Sequence, residues 1–536
     1  MHPGTFAERT PDKPAVVMAD GRALSYEELE AASNRLAHVF RASGLRRGDH
    51  VALVMENRPE LVVALWAAQR SGLYYTPCST HLKEDELRYI VDDCGARVLV
   101  ATATTFGAVE HLVAPAVERR LLVDGDAPGW ERFDEALAAH PATPIADEAE
   151  GDGMLYSSGT TGRPKGVKSP LADVEYPSIG LAADFGELFG LSDETVFLVP
   201  APLYHAAPLF MTLVVHRLGG TVVLQERFDA ERFLRLIEEH RVTFTQVVPT
   251  MFVRLLKLPE ATRRRYDLSS LAGAVHTAAP CPVPVKEQMI EWWGPVIHEY
   301  YTGTEGSGFV HCTSEEWLAH RGTVGRSLLG PLHILDDEGN ELPPGRQGTI
   351  YFDNAGFEYH GDPERTAASR DPQARGWSTL GDVGYVDEDG FLYLTDRKAY
   401  TIISGGVNVY PREAEDVLIG HPAVADVAVF GIPHDEMGEQ VHAVVELVDG
   451  AEPSDELGAE LIAHCRDHLA HYKCPRSVEF RTELPRHPNG KLYKRLLRDE
   501  HWQGRTLTDG APGGSGGEVT DGAPGRSGGD VTAEAR

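Results

Sequence analysis

The sequence predicts an α/β protein. It should have a large N-terminal domain of mostly parallel sheets with helices plus a β-rich subdomain, and a small α+β C-terminal domain. Three observations carry this. The chain has 536 residues, more than one ordinary core organises. Short apolar runs alternate with amphipathic helical patterns, as in parallel sheets covered by helices. Around Pro343 to Leu394 the pattern shifts to short strands between turn residues, and a smaller mixed unit follows.

The elements follow in order. Ser25-Tyr-Glu-Glu28 is a capping box opening a helix whose apolar face is Leu29, Ala32, Leu36 and Val39. After Gly44 and Gly48 comes a strand over Val51–Met55, then a helix over Leu61–Ser71 and a strand over Arg97–Val100. Thr221–Leu224 continues the strands, and 230–240 the helices. Gly348–Phe352 and Gly390–Leu394 are strands of the β-rich part. A boundary falls near residue 396. The 503–536 tail nearly repeats TDGAPGGSGGEV as TDGAPGRSGGDV; this composition cannot bury a core and predicts disorder. It matches GxSxG twice, but a nucleophile elbow needs a strand before it and a helix after it, and the tail predicts neither.

Composition narrows the function. Lys plus Arg number 50 against 81 Asp plus Glu, a net charge of −31, so nucleic acid and anionic lipid are poor partners. A phosphate site must concentrate positive charge locally. Six scattered cysteines without a CxxC fit a reducing cytoplasm, and no apolar stretch is long enough to span a membrane. The early charges and prolines of MHPGTFAERTPDKP do not make a signal peptide.

YSSGTTGRPKGV (156–167) has the parts of a polyphosphate loop. Its glycines let backbone N–H groups turn toward an anion, Ser157, Ser158, Thr160 and Thr161 supply hydroxyls, and Arg163 and Lys165 supply charge. The Gly-Lys-Ser/Thr of a Walker loop is absent. A mobile surface loop is the plain alternative, and the Pro164-Lys165-Gly166 ending is what sets this stretch apart.

That stretch resembles the phosphate-binding signature of AMP-forming acyl-CoA synthetases and their adenylate-forming relatives. Tyr301-Thr-Gly-Thr-Glu305, Trp377-Ser-Thr-Leu-Gly-Asp382, Asp396-Arg397, Ser404-Gly-Gly-Val-Asn-Val-Tyr-Pro-Arg-Glu413 and Pro488-Asn-Gly-Lys491 resemble the family's later motifs, in the same order, over roughly residues 5 to 500. The resemblance implies a domain over 1–395, a hinge at 396–400, a catalytic-lysine domain over 401–502 and the tail beyond. It implies ATP, Mg²⁺ and CoA as cofactor and co-substrates. Ser158, Thr160, Thr161 and Lys165 would line the phosphate path, Thr304 would touch the α-phosphate, and Glu305 would hold Mg²⁺. Ala278, Ala279 and Pro280 would pack the adenine beside Tyr301, and Asp382 would bind the ribose with Arg397 next to it. His205 would stand beside the acyl pocket, Gly405 and Gly406 beside the thioester tunnel, and Lys491 would bridge carboxylate and α-phosphate. In isolation Asp382 reads as a turn residue, Glu305 as a solvated loop acid, Lys491 as ordinary surface and a lone His as structural. Gly303, Gly306 and Gly308 read either as room for an acyl group or as turn glycines.

The implied reaction activates a carboxylic acid, fatty or aromatic, as an acyl-adenylate, releases pyrophosphate and passes the acyl group to CoA. The alternative acceptors are a carrier-protein thiol, on a separate protein since the tail supplies no carrier domain, or an amine, including diazotisation through activated nitrite. A non-catalytic nucleotide-binding protein would be marked by loss of Lys491 or Glu305, and both are present. Three positions depart from the family pattern. Ala399 and Tyr400 stand at the hinge where acids or lysine are common, Val407 replaces a glutamate, and Leu380 replaces a threonine. The first two touch the second half-reaction most. His464, Cys465, His468, His471 and Cys474 suggest zinc, yet Ile462, Cys465 and Leu469 read as a helix's apolar side with the histidines elsewhere.

Overall fold

A computed structural model describes residues 2–157, 164–174, 176–354, 356–397, 400–404, 407–434, 437–486 and 492–502, with backbone alone at 157, 396, 397 and 408. The Ser25 box forms as its sequence requires. Ser25 Oγ accepts from the Glu28 N–H at 3.2 Å, and Glu28 Oε2 accepts from the Ser25 N–H at 2.8 Å. The helix Tyr26–Ala42 then buries Leu29, Leu36 and Val39, with Ala32 packed at the margin.

Two large sheets form the N-terminal part. Among the described residues one has six strands, all parallel, in the order Glu131–Arg132, Arg119–Val123, Ala96–Thr102, His50–Val54, Tyr74–Pro77, Asp152–Gly153. The other has nine. Its centre is parallel and runs Ile297–Tyr301, Gly273–His276, Phe244–Val247, Val196–Val199, Thr221–Leu224, Pro14–Met18. Antiparallel strands finish it at both edges. The strand Val196–Val199 and the Val98–Ala101 core of Ala96–Thr102 are almost wholly buried, which explains their apolar character.

The texture change after residue 343 is real. Leu332–Leu335, Gly348–Phe352, Asp382–Val386 and Leu392–Arg397 form an antiparallel sheet. The last strand starts two residues later than the sequence reading, because Gly390, at φ +81°, turns back to Asp387. A separate sheet of Ile402–Ser404, Val407–Val409, Val424–His434, Gly438–Leu447 and Ser477–Arg481 carries the helices Pro411–Leu418, Asp455–His468 and Lys494–Trp502. Cys465 and Cys474 are buried in its core with Leu461. Leu461 is more deeply buried than Ile462, so the helix is rotated slightly from the expected face. All six cysteines are free thiols. Among the described residues no helix is long and apolar enough to cross a membrane.

His216 sits at the heart of the first core. Its Nε2 lies 2.9 Å from the Ala15 carbonyl, which can only accept, so Nε2 carries the proton and Nδ1 accepts from Trp66 Nε1–H at 3.1 Å. A second proton has no place. Burial pushes His216 down to about 4 and His276 to about 3. The unfolded chain therefore binds protons that the fold refuses, and stability present above pH 6.5 is lost as pH falls toward 4. Each ring contributes a slope of about 1.36 kcal/mol per pH unit within its window. The thermal midpoint should fall steeply from pH 6.5 to 4; a flat profile would contradict this reading.

Candidate active site

The centre is built at the carboxyl ends of the parallel strands, where open α/β sheets place their ligands. Gly273–His276 leads into Ala278-Ala279-Pro280, Ile297–Tyr301 into Thr302–Glu305, and Val196–Val199 into the turn holding Tyr204 and His205. All of these line one cleft of about 1910 Å³.

Lys165 begins the strand Lys165–Lys168, which pairs with Leu155–Ser157 on one side and Glu358–Tyr359 on the other. This brings Lys165 to Tyr359. The Lys165 ammonium donates to the Tyr359 hydroxyl at 2.8 Å, and that hydroxyl donates to Glu305 Oε1 at 2.7 Å. Lys165 Nζ also lies 3.2 Å from Glu305 Oε1. Burial alone would raise the Glu305 carboxyl, but the Lys165 charge and the Tyr359 hydrogen bond outweigh it and hold it below the usual carboxylate range. A cation, a phenol and an ionised carboxylate thus converge at Lys165, the charged end of the stretch the sequence singled out.

A second pair lies close by in the cleft. Tyr301 at its strand's end donates its hydroxyl to Asp382 Oδ2 at 2.6 Å. Asp382 pairs in register with Arg397, so both ribose candidates share one antiparallel ladder, although nothing is described of the Arg397 side chain. Leu380 packs beneath this loop: a Cβ on Gly303 would lie 2.6 Å from it. Gly308 faces the Phe352 ring, where a Cβ would clash at 1.9 Å, and Gly306 has φ +63°. Gly306 thus takes a turn conformation, while Gly303 and Gly308 allow close packing at the cleft wall.

Ala278 has φ +72°, a left-handed conformation that costs an L-residue roughly 1–2 kcal/mol. Replacing it with glycine removes that strain but loosens the unfolded chain, so Ala278→Gly should raise the stability measured by urea unfolding by about 0.5–1 kcal/mol. A drop would show that the Ala278 methyl contributes more through packing than its backbone costs.

His205 is the N-cap residue of the helix Ala206–Leu218 and packs against the Tyr204 ring at 4.6 Å. Beyond it the cleft is aromatic. Phe185 meets Phe210 at 4.9 Å and Phe309 at 5.2 Å, and Gln246 Nε2 donates to the Tyr300 hydroxyl at 2.5 Å. Sequence reasoning missed these residues and Tyr359. The three phenylalanines come from segments far apart with no common spacing, and Tyr359 lies on a two-residue strand too short to show a period.

From the small C-terminal part, Arg412, Glu415, Asp416, Asp426, Arg486 and Lys494 face the same cleft. Lys257 Nζ donates to the Ala425 carbonyl at 3.1 Å and ties the two parts together. Arg486 and Leu492 form a β-bridge on either side of residues 487–491, which lie outside the described residues. Lys491, Ser158, Thr160, Thr161, Arg163, Ala399, Gly405 and Gly406 lie outside the described residues, as do 503–536. The His464 cluster does not bring three ligand atoms together among the described residues.

Comparison with known proteins places the chain in a family. Residues 5–357 match the family described as AMP-binding enzyme, and 413–491 match its AMP-binding enzyme C-terminal domain. The chain is 32% identical over 507 residues to a fatty acid–[acyl-carrier-protein] ligase, ScoC, of Streptomyces coeruleorubidus, covering 92% of this chain and 95% of that one. It is 35% identical over 484 residues to a feruloyl-CoA synthase of an Amycolatopsis species, covering 89% and 94%. The solved anthranilate CoA ligase AuaEII in complex with anthranoyl-AMP superposes with a TM-score of 0.82 at 27% identity, covering 94% of this chain and 98% of that one. With both family regions matched and relatives aligned over nearly their whole length, the chain belongs to the AMP-binding enzyme family of adenylate-forming enzymes.

Proposed function

We propose that this enzyme activates an apolar carboxylic acid with ATP as an acyl-adenylate, releases pyrophosphate, and transfers the acyl group to CoA. The Lys165–Tyr359–Glu305 cluster beside the Tyr301–Asp382 pair carries this reading. The acid's carboxylate oxygen attacks the α-phosphorus, a P–O bond forms, and the bond to the β-phosphate oxygen breaks. Negative charge spreads over the phosphates, so the donors must stand ready before the reaction.

Lys165 and the hydroxyls of Ser158, Thr160 and Thr161 hold the leaving pyrophosphate, and Thr304 faces the α-phosphate. Glu305 is a hard oxygen donor already ionised, so it fits Mg²⁺, which would neutralise phosphate charge. Asp382, kept in place by Tyr301 and flanked by Arg397, takes the ribose hydroxyls, and Ala278, Ala279 and Pro280 form the adenine wall. His205 and the phenylalanines behind it exclude water from the acyl group. Lys491 comes from its loop to bridge carboxylate and α-phosphate.

We place the domain limits at 395 and 401, with rotation at 396–400. In the second orientation the Gly405-Gly406 loop lines the path of the thiol. Ala399 retains the backbone freedom rotation needs. A carrier-protein thiol is the second acceptor, favoured by the acyl-carrier-protein ligase among the relatives. Product identification from ATP, Mg²⁺ and a panel of aryl and alkyl acids, with CoA, a carrier protein or an amine, separates them. An acyl-CoA supports the first reading; AMP formed only with carrier or amine replaces it.

A further inference from the structure

Outside the cleft, three side chains converge on the small C-terminal sheet. His442 comes from the strand Gly438–Leu447, Glu479 from Ser477–Arg481 and His501 from the helix Lys494–Trp502. Their ligand atoms all lie within 4.8 Å of one another. Glu479 Oε2 is 3.1 Å from His501 Nε2 and 3.7 Å from His442 Nε2. Ligands around a tetrahedral zinc, each about 2.0–2.1 Å away, sit about 3.4 Å apart. None of the three residues lines the nucleotide cleft.

The tautomers deepen the point. His501 Nδ1 lies 2.8 Å from the Leu497 carbonyl, which only accepts, so Nδ1 bears the proton. In the neutral ring, Nε2 then turns a lone pair toward a carboxylate oxygen, which is repulsive unless a proton or a metal ion lies between. His442 is 95% buried, since its exposure is 5%, and its Nδ1 is 2.7 Å from Ser477 Oγ while its buried Nε2 has no hydrogen-bond partner. Arg481 takes the other oxygen of Glu479, Oε1, at 2.6 Å, and its far nitrogen pairs with Glu500, so Oε2 is left for the histidines. A backbone carbonyl, a serine and an arginine each orient one ligand, as outer partners of metal sites do. The side chains of Glu479 and His501 are 34% and 22% exposed, which leaves an entry path and room for water as a fourth ligand.

We propose that His442 Nε2, Glu479 Oε2 and His501 Nε2 form a binding site for a divalent first-row transition ion of the zinc class. Two imidazoles and one carboxylate suit zinc, cobalt or nickel better than magnesium. The ion would clamp the helix Lys494–Trp502, which follows residues 487–491, onto the sheet. That helix is also held by Leu497 in its core cluster and by Trp502 Nε1 on the Gly431 carbonyl at 3.0 Å, so loss of the ion leaves the fold intact.

The test is a titration of the untagged, chelator-stripped full chain with Co²⁺ and then Zn²⁺, without nucleotide. The expected result is one tightly bound Co²⁺ with the visible spectrum of nitrogen and oxygen ligands, displaced by Zn²⁺. Affinity should fall by at least about 100-fold in the H442Q/H501Q double variant and by about 10-fold in Ser477→Ala, which frees the His442 ring. Should the double variant unfold, Glu479→Gln and Ser477→Ala carry the test. No stoichiometric ion in the native chain, or affinity unchanged in these variants, overturns the proposal and leaves a protonated His501–Glu479 ion pair in its place.

Discussion

Lys491→Ala should lower the rate of acyl-adenylate formation by on the order of 10²-fold or more, the usual cost of removing one donor aimed at a transition state. Thioester formation from supplied acyl-adenylate should survive. The split follows from chemistry. In the first half-reaction two anions, a carboxylate and a triphosphate, must approach, and a mobile ammonium between them screens the repulsion. In the second, a thiol attacks a carbonyl already activated, and that charge is no longer required. Arg486 and Leu492, which flank residues 487–491 in the chain, pair in a β-bridge and line the cleft. Both half-reactions are measured in single turnover. Equal losses in both would assign Lys491 to folding, and no loss in the first would remove it from the mechanism.

Glu305→Gln should cost a similar factor, on the order of 10² in kcat, and should raise the Mg²⁺ concentration needed for half-maximal rate. Glutamine keeps the shape and can still accept from the Tyr359 hydroxyl, so the fold is preserved. What disappears is the negative charge that faces Lys165 at 3.2 Å. The ammonium is then left beside a neutral amide, and a hard cation loses a carboxylate ligand here. Steady-state rates against Mg²⁺, with the thermal midpoint as a control, check this. An unchanged Mg²⁺ dependence would assign Glu305 a purely structural pairing with Lys165.

Much of this site was legible because its chemistry is local in sequence. A loop of glycines and hydroxyls ending in Pro164-Lys165-Gly166 declares an anion site, and Tyr301, Glu305 and Asp382 stand out through the short motifs that resemble those of adenylate-forming enzymes. What the sequence hides is pairing between distant segments. Tyr301 and Asp382 were each singled out, but their hydrogen bond joins strands of two different sheets. Tyr359 bridges Lys165 and Glu305 only because its short strand adds to the edge of another. The aromatic wall of Phe185, Phe210 and Phe309 assembles from two helices and a loop far apart in the chain, so no periodicity reveals it. The strand shift at Gly390 has the same origin: a positive-φ turn decides where the ladder begins.

The most direct test of the central claim is acid-dependent exchange of label between pyrophosphate and ATP, with Mg²⁺ and without CoA. This isolates adenylation from any acceptor. The expected result is exchange that requires an apolar acid and is lost in Lys491→Ala and Glu305→Gln. Absence of exchange with every acid, or exchange that persists undiminished in both variants, would contradict an adenylate-forming site built on these residues.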